Sequence, residues 1–438
     1  MNGATYAIVG LGGRHRMYRR AITETHRSRS SLVGLCDSNP GRLALAMGEA
    51  SDAGASPRGF DADGFDRMLA ETRPDCVIVT TVDRFHDDYI CRALEAGSNV
   101  ITEKPMTIDE TRCRRILEAQ RKYDGEIKVA FNYRYAPPRT QVKELLLSGI
   151  IGEVLSVDFH WMLNTRHGAD YFRRWHRNKA NSGGLLVHKA THHFDLVNWW
   201  LGTVPERVFA RGDRRFYIPA TADSLGLDSR GERCRGCRCA NVCQFALRME
   251  NFERMKALYL DCEQLDGYFR DRCVFSDAID IEDTMSLVVE YRSGARMSYS
   301  LVAYAPWEGY TIAFNGTKGR LEHKQEESVY VSGDGSVPGA LEPDGTWTRV
   351  YPQREAAYEV ALARGEGGHG GADPIMLDHL FAPDTQPEDR LLRGADQRAG
   401  AWSILTGIAA NRSIEWGREV VIDELVPGLE LPDYPHGH

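Results

Sequence analysis

Nowhere in the 438 residues does an uninterrupted apolar run approach the roughly 20 residues that a membrane-spanning helix needs, so neither a helical span nor a membrane partner is expected. Positive charge is not in excess. The 54 Lys and Arg stand against 62 Asp and Glu, a net charge of −8, which argues against a general binder of nucleic acid or anionic membrane. The N-terminus enters a strand-like run at once, without the layout of a signal peptide, and a cytoplasmic location is expected. Long low-complexity segments and clear internal repeats are also missing. The chain does have an ordinary apolar share of 42%, enough for real cores, and a length for which about two or three domains is the prior. Many of its 10 cysteines fall inside predicted strands or helices; in a chain this long that points to a reducing compartment and not to a disulfide framework.

The chain is organised around residues 6–15, YAIVGLGGRH. An apolar run over 6–9 stops at Gly10-Leu11-Gly12-Gly13, and a run of helical character follows over 14–22. Strand, glycine turn and helix let backbone N–H groups face a pyrophosphate. Gly10 permits the tight turn and Gly12 the close approach of the backbone. The third glycine of a GxGxxG pattern would fall at His15, so the match is incomplete, and Gly13 is expected to take over part of that role. A tight βα turn without a ligand is the plainer reading of the same loop. Residues 31–37 read as a second strand ending in an acid. Asp37 is placed there to bind adenine-ribose hydroxyls, which favours NAD over NADP. Arg42 is an alternative partner for a 2′-phosphate, and Asp37 an alternative cap for a helix from Pro40. Residues 75–81 read as a third buried strand, 86–96 as a helix, and 98–102 as a fourth strand running into Glu103-Lys104-Pro105. Pro105 has no N–H and biases Lys104 away from helix, so the strand ends there. A lysine at the carboxyl end of a parallel strand stands where open α/β sheets bind ligands.

These residues carry a resemblance. The GLGG loop, the strand-end Asp37, the segment from Thr80-Thr81 to His86 and above all Glu103-Lys104-Pro105 resemble the Gfo/Idh/MocA family of nicotinamide-dependent sugar oxidoreductases. The resemblance implies an α/β chain: a Rossmann domain over 1–131, then an α+β substrate and oligomerisation domain over 132–438 with a large open, mostly antiparallel sheet. The outer face of that sheet commonly forms a subunit interface, so a homo-oligomer, dimer or tetramer, is implied. NAD is the implied cofactor, NADP less so, with Gly10, Gly12, Gly13, Arg14, Asp37, Thr81, His86, Glu103 and Lys104 as its binding residues. Lys104 takes the role of binding the reacting hydroxyl beside the nicotinamide. The resemblance covers the N-terminal third well, recurs in the middle, and is thinner over about 205–280 and the C-terminal tail.

A short strand over 128–131 leads into Asn132-Tyr133-Arg134-Tyr135. The family has a similar asparagine and arginine at its domain junction, so Asn132, Tyr133 and Arg134 are expected to line the cleft, with ordinary interdomain packing as the alternative. A strand over 153–161 is followed by a basic, aromatic segment, 166–179, that includes Arg166, His167, Arg173, Arg174, Trp175, His176, Arg177 and Lys179. In an otherwise acidic protein it suits charge-assisted hydrogen bonds to an anionic sugar, such as a uronate or a sulfonated sugar, or else a solvated face or subunit contact.

After Gly183-Gly184 the segment to Leu201 has helical spacing. His188, His192 and Asp195, at i, i+4 and i+7, would share one helix face, and two imidazoles with a carboxylate suit proton transfer or metal ligation. The family's matching motif, DxGxH, puts its histidine at His192, while its aspartate position holds His188 and its inner glycine Ala190. His192 is then the expected base for the sugar hydroxyl, and His188 or Lys189 must stand in for the missing carboxylate. A neutral imidazole takes the hydroxyl proton near working pH, and a cationic Lys104 from the other domain stabilises the developing negative charge.

Over about 207–280 the pattern becomes irregular. Cys234-x2-Cys237-x-Cys239-x3-Cys243 with Cys262 and Cys273 suggests zinc ligation, and Cys234, Cys237, Cys243 and Cys273 are the four expected to form a structural zinc site. An iron–sulfur cluster and free thiols are the other readings. Residues 266–270 of this insert are candidates to reach the substrate mouth. Two hairpins are expected further on, 285–291 with 295–304 and 310–314 with 320–323. Residues 365–372 read as a flexible glycine segment, with His369 on a linker or a lid. Residues 397–411 read as a helix returning to the core, 419–422 as a last strand, and the final PDYPHGH as a loose tail.

The whole reads as an NAD-dependent oxidoreductase acting on a secondary hydroxyl of a small-molecule sugar or glycoside. A rival reading is an NAD-dependent glycoside hydrolase that oxidises a ring hydroxyl, eliminates, adds water and re-reduces. A third is a non-catalytic nucleotide-sensing binding protein.

Overall fold

The computed structural model describes residues 3–328, 345–365 and 368–435. Of the glycine segment expected at 365–372, residues 366–367 and the side chain of His369 lie outside the described residues, and a helix, Gly368–Phe381, begins within it. No helix among the described residues is long and apolar enough to cross a membrane.

The first sheet has β1 (Ala4–Val9), β2 (Ser30–Cys36), β3 (Arg58–Phe60), β4 (Cys76–Val79), β5 (Asn99–Thr102) and β6 (Ile127–Val129). They run parallel in the order β3-β2-β1-β4-β5-β6. That order is the Rossmann one, and its switch point lies between β1 and β4, where the glycine turn leaves β1. Val77, Ile78 and Val79 are all buried, as strands covered on both faces require. Part of that cover comes from the far end of the chain. The helix Gly368–Phe381 lies on this sheet, with Ala372 and Met376 buried among Ile8 and Leu11, and Phe381 edge-on to Tyr6 at 5.0 Å.

The second sheet takes β7 (Val154–Asn164), β8 (Pro205–Asp213), β9 (Thr284–Tyr291), β10 (Arg296–Ala305), β11 (Glu308–Gly316), β12 (Gly319–Ser328), β13 (Trp347–Pro352), β14 (Tyr358–Val360) and β15 (Val420–Val421). Its order is β14-β13-β12-β11-β7-β10-β9-β8-β15, with β10 parallel to β7 and the other neighbours antiparallel. Both expected hairpins form, as β9 with β10 and β11 with β12. Along β10 the side chains alternate, with Met297, Tyr299, Leu301 and Ala303 buried.

The helix Gln397–Trp416 ties the two sheets together. It packs against β8, and the carbonyl of Ala395 just before it accepts from Val129 N–H on β6 at 2.9 Å. Gly407 lets it come against the backbone of residue 186: a Cβ there would lie 2.1 Å from the Leu186 carbonyl oxygen. The tail is not loose as far as it is described. Tyr434 is buried, 5.5 Å from the Arg134 guanidinium, while 436–438 lie outside the described residues.

Candidate active site

β1 runs into Gly10, whose φ is +87°, and a Cβ there would lie 2.6 Å from the amide nitrogen of Thr81, so both conformation and space demand glycine. Thr80 Oγ1 donates to the Gly10 carbonyl at 2.5 Å. His15, at the place of the absent third glycine, is buried and folds Nδ1 back onto the carbonyl oxygen of Gly12. Burial holds this ring below its usual pKa. Beside Gly12 the turn stays open. A Cβ on it would meet within 4 Å only the Tyr259 hydroxyl, at 3.9 Å, which is room for a ligand to approach the backbone.

At the end of β2, buried Asp37 accepts from Leu11 N–H at 2.5 Å and Asn39 N–H at 2.7 Å. The cap of the helix Pro40–Asp52 is Asn39, whose side chain accepts from the N–H groups of Gly41 and Arg42, so the capping alternative for Asp37 gives way. Oδ1 also accepts from Arg42 Nε, so Oδ2, bonded to Leu11 N–H alone, keeps a lone pair for a further donor. Arg42 lies between two carboxylates, Asp37 at 3.4 Å and Asp266 of the cysteine-rich insert. A glycine turn open at Gly12 and a strand-end carboxylate beside it fit a dinucleotide, with the turn at its diphosphate and Asp37 at its adenine ribose.

At the end of β5, Glu103 accepts from Arg14 Nε and from the Tyr18 hydroxyl, the latter at 2.8 Å. Burial opposes its charge, but the Arg14 guanidinium outweighs it and holds the carboxyl below its ordinary range. Lys104 Nζ donates to the carbonyl oxygen of His188 at 3.1 Å. Burial lowers this amine to about 8, against the pull of Asp83 and Glu103. His86 departs from expectation. Its ring is buried, with Nδ1 2.9 Å from the Pro105 carbonyl and Nε2 3.3 Å from that of Thr81, so it pins the turn that carries Lys104 and offers no atom to a cofactor.

The second half of the site comes from residues 185–201. The expected single helix is broken, with Leu185–His188 and Thr191–Leu201 separated at Lys189 and Ala190. His188 Nδ1 lies 2.5 Å from Oδ2 of Asp83, a residue the sequence reading passed over, in the 3-10 turn Asp83–Phe85 after β4. Both are buried, and burial pushes the carboxyl well up and the imidazole well down, so the pair holds one proton and little net charge. The carboxylate missing at position 188 is therefore brought to it from the first sheet. Sequence held one hint of this, an acid two residues past the third predicted strand. Lys189 Nζ donates to the Tyr133 hydroxyl at 3.2 Å and lies 4.6 Å from the Trp161 ring centroid. His192 stacks on the Tyr133 ring, with centroids 4.1 Å apart.

Asp195 is not bonded to these imidazoles. It is fully buried against Arg134, which donates through Nε at 2.8 Å and Nη2 at 2.6 Å. That corrects the cleft role expected for Arg134, whose Nε and Nη2 are taken by this ion pair and whose Nη1 faces the carbonyls of Leu392 and Gly394 at 3.5 Å. Asn132 Nδ2 donates to Asp373 at 2.7 Å and so holds the helix Gly368–Phe381. The basic segment divides. Arg166 and His167 are exposed, Lys179 pairs with Glu282, and Trp175 stacks on His176 at 3.6 Å. His176 is buried edge-on to His188 at 4.3 Å, and burial followed by the His188 and Arg174 charges holds it well below the usual imidazole pKa.

The metal expectation is corrected. Cys234, Cys237, Cys243 and Cys273 do line one small cavity, with Cys239, Phe245 and Phe275. Yet among the described residues no group of three or more His, Cys, Asp or Glu could hold a metal ion, and all ten cysteines are free. Burial raises the thiols of Cys234, Cys243 and Cys273, and Cys237, Cys243 and Cys273 pack against the apolar core.

Residues 4–131 match the family model described as "Oxidoreductase family, NAD-binding Rossmann fold", and residues 143–422 the one described as "Oxidoreductase family, C-terminal alpha/beta domain". A protein named as oxidoreductase YteT, from Bacillus subtilis strain 168, is 38% identical over 429 residues, covering 95% of this chain and 97% of its own. The inositol 2-dehydrogenase of Rhizobium meliloti strain 1021 is 27% identical over 205 residues, 47% of this chain and 57% of that one. The aldose-aldose oxidoreductase of Caulobacter crescentus, solved with glycerol, shares the fold with a TM-score of 0.62 at 18% identity, covering 96% of this chain and 100% of that one.

Proposed function

The chain belongs to the Gfo/Idh/MocA oxidoreductase family, and we propose that it oxidises a secondary hydroxyl of a sugar or glycoside with NAD. The observation that carries this reading is the bond from Lys104 Nζ to the His188 carbonyl, which sets a cationic amine at the end of β5 against the histidine-bearing segment of the second domain. When bound, the nicotinamide supplies the hydride acceptor. The chain's own residues do the rest. Lys104 binds the hydroxyl oxygen and stabilises negative charge as it develops. His192 accepts the hydroxyl proton, and Lys189, with Arg174, Trp175 and His176, contacts the substrate. Arg42 is already flanked by Asp37 and Asp266, so a 2′-phosphate would meet two carboxylates, which favours NAD over NADP. The exposed pair Phe209 and Val288, in register on β8 and β9, supports a homo-oligomer across the outer face of the second sheet.

The test is a panel of neutral and acidic sugars offered with NAD, following reduced nicotinamide. Formation of NADH with a sugar, lost in Lys104→Ala while NAD still binds, supports the reading. Failure to bind NAD sinks it. One observation favours a second use of the same site: the Asp83–His188 pair is a second buried proton-sharing couple on the segment that receives Lys104, as a redox-neutral elimination after oxidation would use. Release of the leaving group from an aryl glycoside with no net NADH would select that redox-neutral cleavage.

A further inference from the structure

The insert between β8 and β9 comes down on the dinucleotide edge of the first sheet at several points. At the glycine turn, the Tyr259 hydroxyl accepts from Gly13 N–H at 3.1 Å and Arg254 Nη2 donates to the Gly13 carbonyl at 3.0 Å. At the ribose end, the Cys262 carbonyl accepts from Asn39 Nδ2 at 3.0 Å, and Asp266 pairs with Arg42. Against Tyr259 packs Arg270. Its guanidinium lies 4.4 Å from the Tyr259 ring centroid.

Arg270 is only 8% exposed, yet its Nε and Nη1 have no hydrogen-bond partner, and its Nη2 stands 3.6 Å from Asp170. Buried donors without acceptors are rare, because the lost hydration is not replaced. A guanidinium presents such donors in a fork that suits two oxygens of one anion. The Tyr259 hydroxyl has accepted one bond from Gly13 and keeps its own proton to donate. It thereby passes the glycine turn's N–H on to a group further out. A hydroxyl that touches the turn where β1 ends, and a cation with free donors stacked on the same tyrosine ring, are suited to a diphosphate.

We propose that residues 254–270 form a strap across the bound dinucleotide, with Tyr259 and Arg270 as ligands of its diphosphate, so that the cofactor leaves slowly between turnovers. This rests on the dinucleotide reading above and adds to it residues from the insert that no glycine-turn pattern contains.

The strap is tested by loading the full chain with NADH and chasing it with excess NAD, following the fluorescence of bound NADH. Tyr259→Phe and Arg270→Leu are each expected to speed release roughly tenfold, as loss of a hydrogen bond to a charged group does, and Arg270→Lys to recover part of the difference. In the unaltered protein, NADH is also expected to slow amide hydrogen exchange over 254–262, a readout that does not depend on how the variants fold. Release at the unaltered rate in both variants, or exchange unchanged by NADH, overturns the strap and leaves the dinucleotide reading standing. An unaltered protein that takes up no NADH overturns both.

Discussion

Oδ2 of Asp83 lies 2.5 Å from Nδ1 of His188, and through this contact the loop after β4 holds the segment whose carbonyl receives Lys104. One carboxyl thus fixes the ring of His188. Asp83→Asn keeps the shape and removes the ionisable partner. Its expected result is a fall in kcat of roughly tenfold to a hundredfold, the scale of a lost proton-sharing partner, with NAD affinity unchanged in calorimetry. A variant as active as the parent would show the pair to be only a structural tie.

Lys104 titrates near the working range, since burial lowers it to about 8. If its cation stabilises the developing alkoxide, kcat/KM for oxidation falls as pH rises through about 8, where the amine loses its proton. Lys104→Arg, if it retains measurable activity, loses that limb, because arginine stays charged. Stability carries the same group with its own sign. The folded amine releases its proton near 8 and the unfolded one near 10.5, so the folded chain holds fewer protons between those values. The burial penalty is present below about 8 and is relieved as pH climbs across that window, a trend that denaturant titrations at stepped pH will show and that Lys104→Met will lack.

Arg134 and Asp195 are both buried and bound in a two-point ion pair. Removing one partner leaves the other charged and without solvent. Asp195→Ala is expected to lower stability by about 3–5 kcal/mol in urea unfolding. A double change of both residues to apolar ones is expected to cost less than that single change.

Gly407 is where the helix Gln397–Trp416 meets the Leu186 backbone, two residues before His188. Gly407→Ala pushes a methyl against a carbonyl oxygen. A loss of about 1–3 kcal/mol is expected, together with a lower kcat, because the segment bearing His188 must shift. An Ala variant with parental melting and turnover would mean that the helix moves away at no expense to the site.

Cofactor choice is open to a direct change of charge. Asp37→Ser with Asp266→Asn leaves Arg42 without its carboxylate neighbours and free to meet a 2′-phosphate. The ratio of kcat/KM with NADP to that with NAD is expected to rise by roughly a hundredfold, about the discrimination that a pair of charged contacts supplies. No change in the ratio would place the adenine ribose elsewhere.

Local rules of the chain were enough for the glycine turn, the strand-end Lys104 and the two hairpins. A positive φ needs Gly10, a proline ends β5, and alternation of apolar and polar residues marks a strand buried on one face. Such constraints act between neighbours and can be read in order. Pairings across long separations cannot. Asp83 meets His188 over 105 positions, Arg134 meets Asp195 over 61, and Gly13 meets Tyr259 over 246. Each is set by how two sheets, one long helix and an insert pack together, and a buried charge takes whichever partner that packing brings within reach. The same packing broke the helix at Lys189 and Ala190, turned Asp195 inward, and laid the cysteine-rich insert over the glycine turn, where side-chain spacing along the chain carries no record of it.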